Sequence, residues 1–221
     1  MIVERPVTVE RRWHAAATIP PQILEACSLA SLQIGGPTLR GLAVTSSIRR
    51  EGRTSVALAM AAVQVRDYHR HPLLLEMDFD APALSRRLHT DLSPGLAELI
   101  RGQACLEEVV QPLADGMTVV TAGAAGGAPA RLIVELMEST ALQEMTRQFD
   151  VVVADLPPLL GSSYGRLAAD LFEKTLLVVR AGVTPVPRIR EAAASLRREP
   201  LVLLNGTSTR MPRWVRRLSG T

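Results

Sequence analysis

Six short runs along the chain are apolar at almost every position: residues 41–46 (GLAVTS), 72–78 (PLLLEMD), 117–123 (MTVVTAG), 150–156 (DVVVADL), 174–180 (KTLLVVR) and 201–205 (LVLLN). A strand with one face in water alternates apolar and polar residues, whereas a continuous apolar run fits a strand covered on both faces. Between the runs lie segments of helical length and period at Thr54–Tyr68, Pro129–Phe149 and Pro187–Arg198. A further helix is predicted from about Pro21 to Leu32, between the TIPPQ signal and IGGPT, whose glycines and proline end it. The pattern predicts the α/β class: a mainly parallel central sheet with helices on both faces and ligands at the carboxyl ends of the strands. Three parts are expected, an arm over residues 1–20, a main domain over 21–206 and a tail over 207–221.

Composition narrows the function classes. The 221 residues are 47% hydrophobic and 21% charged, enough for one globular core. No run of about 18 apolar residues exists, and the charged start MIVERPVTVERRW lacks a signal-peptide core, so a cytoplasmic chain is predicted. Cys27 and Cys105 stand alone, without metal-ligand spacing, and read as reduced thiols. Net charge is +3 and the only lysine is Lys174, so the basic charge is almost all arginine. Aromatics at 3% argue against base-stacking platforms, and no specific nucleic-acid partner is expected.

Three strand ends carry chemistry. The first run leads into SIRREGRTS (Ser47–Ser55), the second ends in Glu76 and Asp78, and the fourth in Asp155. A phosphate-binding loop needs backbone N–H groups curled toward an anion, a helix start behind them, a cation, and a hydroxyl for Mg²⁺. Gly52, Arg53 and Thr54 fall at the last turn of such a loop, and carboxylates of neighbouring strands would face the metal. Any one acid alone reads as a turn or capping residue, and the loop alone as a basic surface turn.

In this order the motifs resemble those of the bacterial tyrosine kinases of polysaccharide export systems, within the MinD/ParA-like group of P-loop ATPases. VTSSIRREGRTS is similar to that family's Walker A loop. LLLEMDFDAPAL is similar to its second acidic strand, PGLAELIRGQACLEEVVQP to the stretch after it, FDVVVADLPPLL to its Walker B segment, and LLVVRAGVTP and LVLLNG to its last two strands. The resemblance implies an ATP/ADP and Mg²⁺ site in which Ser47, Arg50, Glu51, Gly52, Arg53, Thr54 and Ser55 cradle nucleotide and Asn205 contacts adenine. Thr54, Asp78 and Asp155 would hold the metal, and Glu76, Asp78 and Asp155 would be the catalytic acids. It further implies a membrane polysaccharide co-polymerase as partner.

The chain departs from that pattern at chosen places. Arg53 stands where the family has its loop lysine, and a planar fork needs more room than a compact ammonium. Arg49 and Arg50 replace a Pro-Gly pair; a left-handed conformation at Arg50, if the loop required one there, would cost about 1 kcal/mol. Glu25 is retained on the first helix, but Ser28 and Ser31 stand at positions of self-association arginines, which leaves a reduced ring motif. The only tyrosines are Tyr68 and Tyr164, so the tyrosine-rich acceptor tail has no counterpart. The resulting expectation is a degenerate Walker A motif in a pseudokinase with weak or lost nucleotide binding. An active tyrosine kinase or ATPase of the same family, and a ParA/MinD-like positioning ATPase, stay open. In the tail, Met211, Trp214 and Leu218 fall on one helical face while Arg213, Arg216 and Arg217 point elsewhere, a pattern suited to docking on a partner or peripherally on the membrane.

Overall fold

The structure, a computed structural model, describes residues 19–113 and 116–206. The predicted apolar runs all form strands: β1 (Gly41–Ser46), β2 (Pro72–Glu76), β4 (Thr118–Val120), β5 (Val151–Asp155), β6 (Lys174–Arg180) and β7 (Leu201–Asn205), with the two-residue β3 (Gln111–Pro112) added. They make one sheet in the order β3-β4-β2-β5-β1-β6-β7, parallel throughout except for β3 against β4.

Burial on both faces explains the uninterrupted apolar runs. Leu42, Val44, Leu74, Val153, Leu176 and Val178 point to one side, where α1 (Pro21–Gln33) and α2 (Arg53–Tyr68) cover them. Ala43, Leu73, Leu75, Val152 and Ala154, the alternate residues of the same strands, enter a second core. That core also takes in residues of α4 (Leu96–Ile100), α5 (Leu106–Val109), α6 (Pro129–Glu138), α7 (Ala141–Gln148) and α8 (Gly165–Ala169). Two further α-helices among the described residues are α3 (Leu84–Leu88) and α9 (Val186–Ala194).

Two expectations are corrected. The single helix read over Pro129–Phe149 is two helices, because Ser139 leaves the helical region (φ −86°, ψ 167°) and its hydroxyl donates back to the Leu136 carbonyl at 3.0 Å. Serine and threonine compete for backbone in this way and favour helix ends over interiors. The last helix also stops earlier than read, at Ala194. The segment PGLAELIRGQACLEEVVQP is a folding module: Gly95 N–H donates to Glu98 Oε2 and Cys105 N–H to Glu108 Oε2, each at 2.8 Å, capping α4 and α5. No helix among the described residues is long and apolar enough to cross a membrane.

Candidate functional site

The strand order brings the chemistry-bearing ends together. Asp155 on β5 lies beside Val44 of β1 and Glu76 of β2, and the loop Ser47–Gly52 leaves β1 to start α2 immediately above. Arg50 takes the left-handed conformation (φ 68°), as does Gly52 (φ 93°). A methyl on Gly52 would run into the Asn205 side-chain amide.

On its β6–β7 side the loop is fastened by hydrogen bonds. The buried Glu51 accepts from Ile48 N–H at 2.8 Å with one carboxylate oxygen, and from Arg180 N–H (3.0 Å) and the Thr184 hydroxyl (2.5 Å) with the other. Asn205 donates its amide to the Glu51 carbonyl at 2.8 Å. Both residues, which the resemblance assigns to nucleotide, hold loop backbone here. Ser55, also on that roll, accepts from Arg87 at 2.7 Å, while the Arg50 side chain is exposed.

On the β2–β5 side the loop meets acids. Arg53 is 8% exposed, and its guanidinium donates to Asp78 Oδ2. Its Nε lies 3.7 Å from Asp155 Oδ1, close enough for charge attraction but too long for a hydrogen bond, so both atoms lack a hydrogen-bond partner. Arg49 approaches Asp78 Oδ2 at 3.6 Å from the solvent side. Burial pushes the Asp155 carboxyl up to about 7, against the pull of Arg53 and of the Thr54 side chain. Asp78 is also raised by burial, opposed by Arg53 and Arg49. The buried Ser47 hydroxyl has no hydrogen-bond partner.

Glu76 is engaged differently. Its carboxylate accepts from the Ala83 and Leu84 N–H groups at the start of α3 (2.5 and 2.6 Å) and from Ala122 N–H at 3.2 Å. Burial still raises its pKa, with these N–H groups pulling it back down. The structure therefore gathers Arg53, Thr54, Asp78 and Asp155, and gives Glu76, Glu51 and Asn205 to the backbone. Met211, Arg213, Trp214, Arg216, Arg217 and Leu218 lie outside the described residues.

Two contributors escaped the sequence reading, and Arg49, named there only as a loop substitution, gains a partner. Arg49 extends the charge cluster, Arg87 braces the first turn of α2, and Tyr164 accepts from Phe79 N–H at 2.9 Å, fixing the backbone just after Asp78. Nothing in the spacing around Arg87 or Tyr164 marks these contacts, which join segments far apart in the chain.

The cluster can be tested for the divalent cation that the resemblance implies. Mg²⁺ demands an octahedron of oxygen donors. Among the described residues no group of three or more His, Cys, Asp or Glu side chains is placed to hold a metal ion. The two acids that point into the site, Asp78 and Asp155, share a guanidinium instead, so the arrangement does not fit a dication. Nor do the loop residues line the cavity of about 530 Å³ beside Arg166, Asp170 and Arg197.

No protein-family model matches the chain. Among curated proteins, it is 26% identical over 139 residues to the tyrosine-protein kinase ptk of Acinetobacter johnsonii, covering 62% of this chain and 19% of that protein. It is 22% identical over 173 residues to the tyrosine-protein kinase YwqD of Bacillus subtilis, covering 76% and 73%. The chain thus spans about a fifth of the length of the Acinetobacter relative. Among solved structures, the VpsO kinase domain superposes with a TM-score of 0.75 at 25% identity, covering 85% of this chain and 97% of that one. The cell division ATPase MinD of Pyrococcus furiosus superposes with a TM-score of 0.61 at 22% identity, covering 81% and 78%. The chain is a distant relative of bacterial tyrosine-protein kinases, built on the P-loop fold that their kinase domains share with MinD.

Proposed function

We propose that this chain is a tyrosine-kinase-like P-loop protein of exopolysaccharide or capsule biosynthesis whose phosphotransfer is weak or lost. Its role is docking or regulation at the cytoplasmic segment of a membrane polysaccharide co-polymerase. The observation that carries this reading is Arg53. It stands at the position of the loop lysine in a degenerate Walker A motif, and it is committed to Asp78 and Asp155 rather than free for a phosphate. Diverting the acids of the site and its cation onto one another removes the groups that would stabilise charge in a phosphoryl transfer. Asn205 and Glu51, tied to loop backbone, support the same conclusion.

The test is to incubate purified protein with Mg²⁺, ATP and a tyrosine-containing acceptor. No transfer above background is expected, together with measurable binding to the cytoplasmic segment of a membrane polysaccharide co-polymerase. Transfer at an ordinary kinase rate that Asp155→Ala abolishes would overturn the reading.

A second reading, an active kinase or ATPase, is favoured by one feature: the loop keeps Gly52 in the left-handed conformation ahead of α2, with Thr54 in its first turn and the Ser47 hydroxyl unpartnered. It requires ATP or ADP with Mg²⁺ at millimolar concentration to raise the melting temperature, since a ligand of the native state must stabilise it.

A further inference from the structure

We propose that Arg53 is a built-in cation that closes the Asp78–Asp155 pair to divalent metal, and that replacing it with a neutral side chain opens the pair as a metal site. The argument starts from charge. Two carboxylates, each 1% exposed, cannot stay ionised side by side without compensation. A divalent cation is one way to supply two positive charges. Here Arg53 supplies one from inside and Arg49, at 3.6 Å from Asp78, supplies a second from the rim.

Geometry makes arginine the residue that can do this. Its planar fork offers donors along two edges, so Nη2 reaches Asp78 while Nε faces Asp155. Lysine carries all its donors on one nitrogen and would have to reach both acids from a single point. Arg53 is the first residue of α2, and the turn from Gly52 aims it across the strand ends rather than out of the loop. The site is also left with unused valence: Asp155 Oδ1 has no hydrogen-bond partner, and Thr54 stands next to Arg53 in the first turn of α2. With the guanidinium gone, Asp78, Asp155 and the Thr54 hydroxyl present hard oxygen donors of the kind Mg²⁺ and Mn²⁺ take, with water completing the shell.

The inference rests on the same ion pairs as the proposed function, but it is tested without nucleotide and so can fail separately. Melting temperature and Mn²⁺ stoichiometry by electron paramagnetic resonance are measured for the native chain, Arg53→Ala, Arg53→Gln and Arg53→Ala/Asp155→Asn, with sodium chloride as ionic-strength control. The native chain is expected to bind no Mn²⁺ and to melt at the same temperature with or without it. Arg53→Ala is expected to bind one Mn²⁺ and to gain about 3 °C or more at tenfold excess over Kd. Adding Asp155→Asn is expected to remove that gain. Arg53→Gln keeps most of the side-chain volume, so it reports on the site if the alanine variant fails to fold. Folding of either variant only when Mn²⁺ is added also supports the proposal. One Mn²⁺ on the native chain, a gain that survives Asp155→Asn, or no Mn²⁺ effect on either single variant overturns it. Kinase activity of the native chain with Mg²⁺ would count against the proposed function as well. Metal binding by an inactive native chain would sink only this inference.

Discussion

Two pairs of carboxylates around the loop that follows β1 are buried in opposite ways. On the β6–β7 side, Glu51 is satisfied by two N–H groups and a hydroxyl, and at the end of β2 Glu76 is satisfied by three N–H groups. On the β2–β5 side, Asp78 takes the Arg53 guanidinium and a single N–H group, that of Ala81 at 3.1 Å, Asp155 faces the same guanidinium, and two polar atoms there lack hydrogen-bond partners. Backbone donors hold an acid permanently, because freeing it would orphan the N–H groups as well. A side-chain cation can be exchanged for another. The comparison separates acids that build the fold from acids that can still do chemistry, although all four are carboxylates at or near strand ends.

Breaking the backbone-held acid should cost most. Glu76→Ala orphans three N–H groups, two of them in buried hydrogen bonds, and should lower unfolding free energy by roughly 4 kcal/mol in urea titration. Glu76→Gln, which keeps an acceptor, should lose less than half of that. A loss below about 1 kcal/mol for the alanine variant would place Glu76 with the exchangeable acids instead.

Removing the side-chain cation comes next and carries a pH signature. Arg53→Gln should cost about 3 kcal/mol at pH 8, since it strands buried carboxylates. Burial already holds Asp155 at about 7 in the folded chain, far above its unfolded value of about 3.9. A raised folded value means that the stability linked to this group is fully present below about pH 4 and is lost as pH rises through about 7. Without the guanidinium the folded value climbs further, so the deficit of Arg53→Gln should be larger at pH 8 than at pH 6. Equal deficits at the two pH values would mean that Arg53 does not hold the ionised form of Asp155.

Smaller effects sharpen the contrast within the loop. Asn205→Ala should cost about 1 kcal/mol through the lost bond to the Glu51 carbonyl, measured by the same titration. If Asn205 instead waits for a nucleotide, its removal should leave stability unchanged and weaken ATP binding. Ser47→Ala should change stability by less than about 0.5 kcal/mol, because its buried hydroxyl has no partner to lose. A larger loss would reveal a partner for Ser47 that the present contacts lack.

Much of the fold was legible because burial on both faces leaves so plain a trace. The run GLAVTS matches β1 residue for residue, and KTLLVVR and LVLLN match β6 and β7. The short helices α3, α4, α5 and α8 were not legible, since four or five residues complete little more than one helical turn and show no period. At the site, Arg53, Asp78 and Asp155 were all singled out in advance, while the left-handed turn at Arg50 was settled only by the folded loop. Their partners were not. Glu51 and Asn205 sit in motifs that would suit nucleotide contact, yet each is held by a residue more than 120 positions away in sequence.

By itself the sequence determined the layers of this protein: which segments are strands, which faces they bury, and which strand ends bear acids next to a loop and a helix start. Those features follow from local periodicity and from the side chains needed to keep water out of a two-faced sheet. Only the tertiary structure decided how the buried charges are shared. Which acid takes the guanidinium, which takes backbone donors, and which loop residue is pinned by Asn205 depend on distances between segments brought together by strand order. A buried charge is stabilised or stranded by partners within a few ångströms, and no spacing along the chain records them.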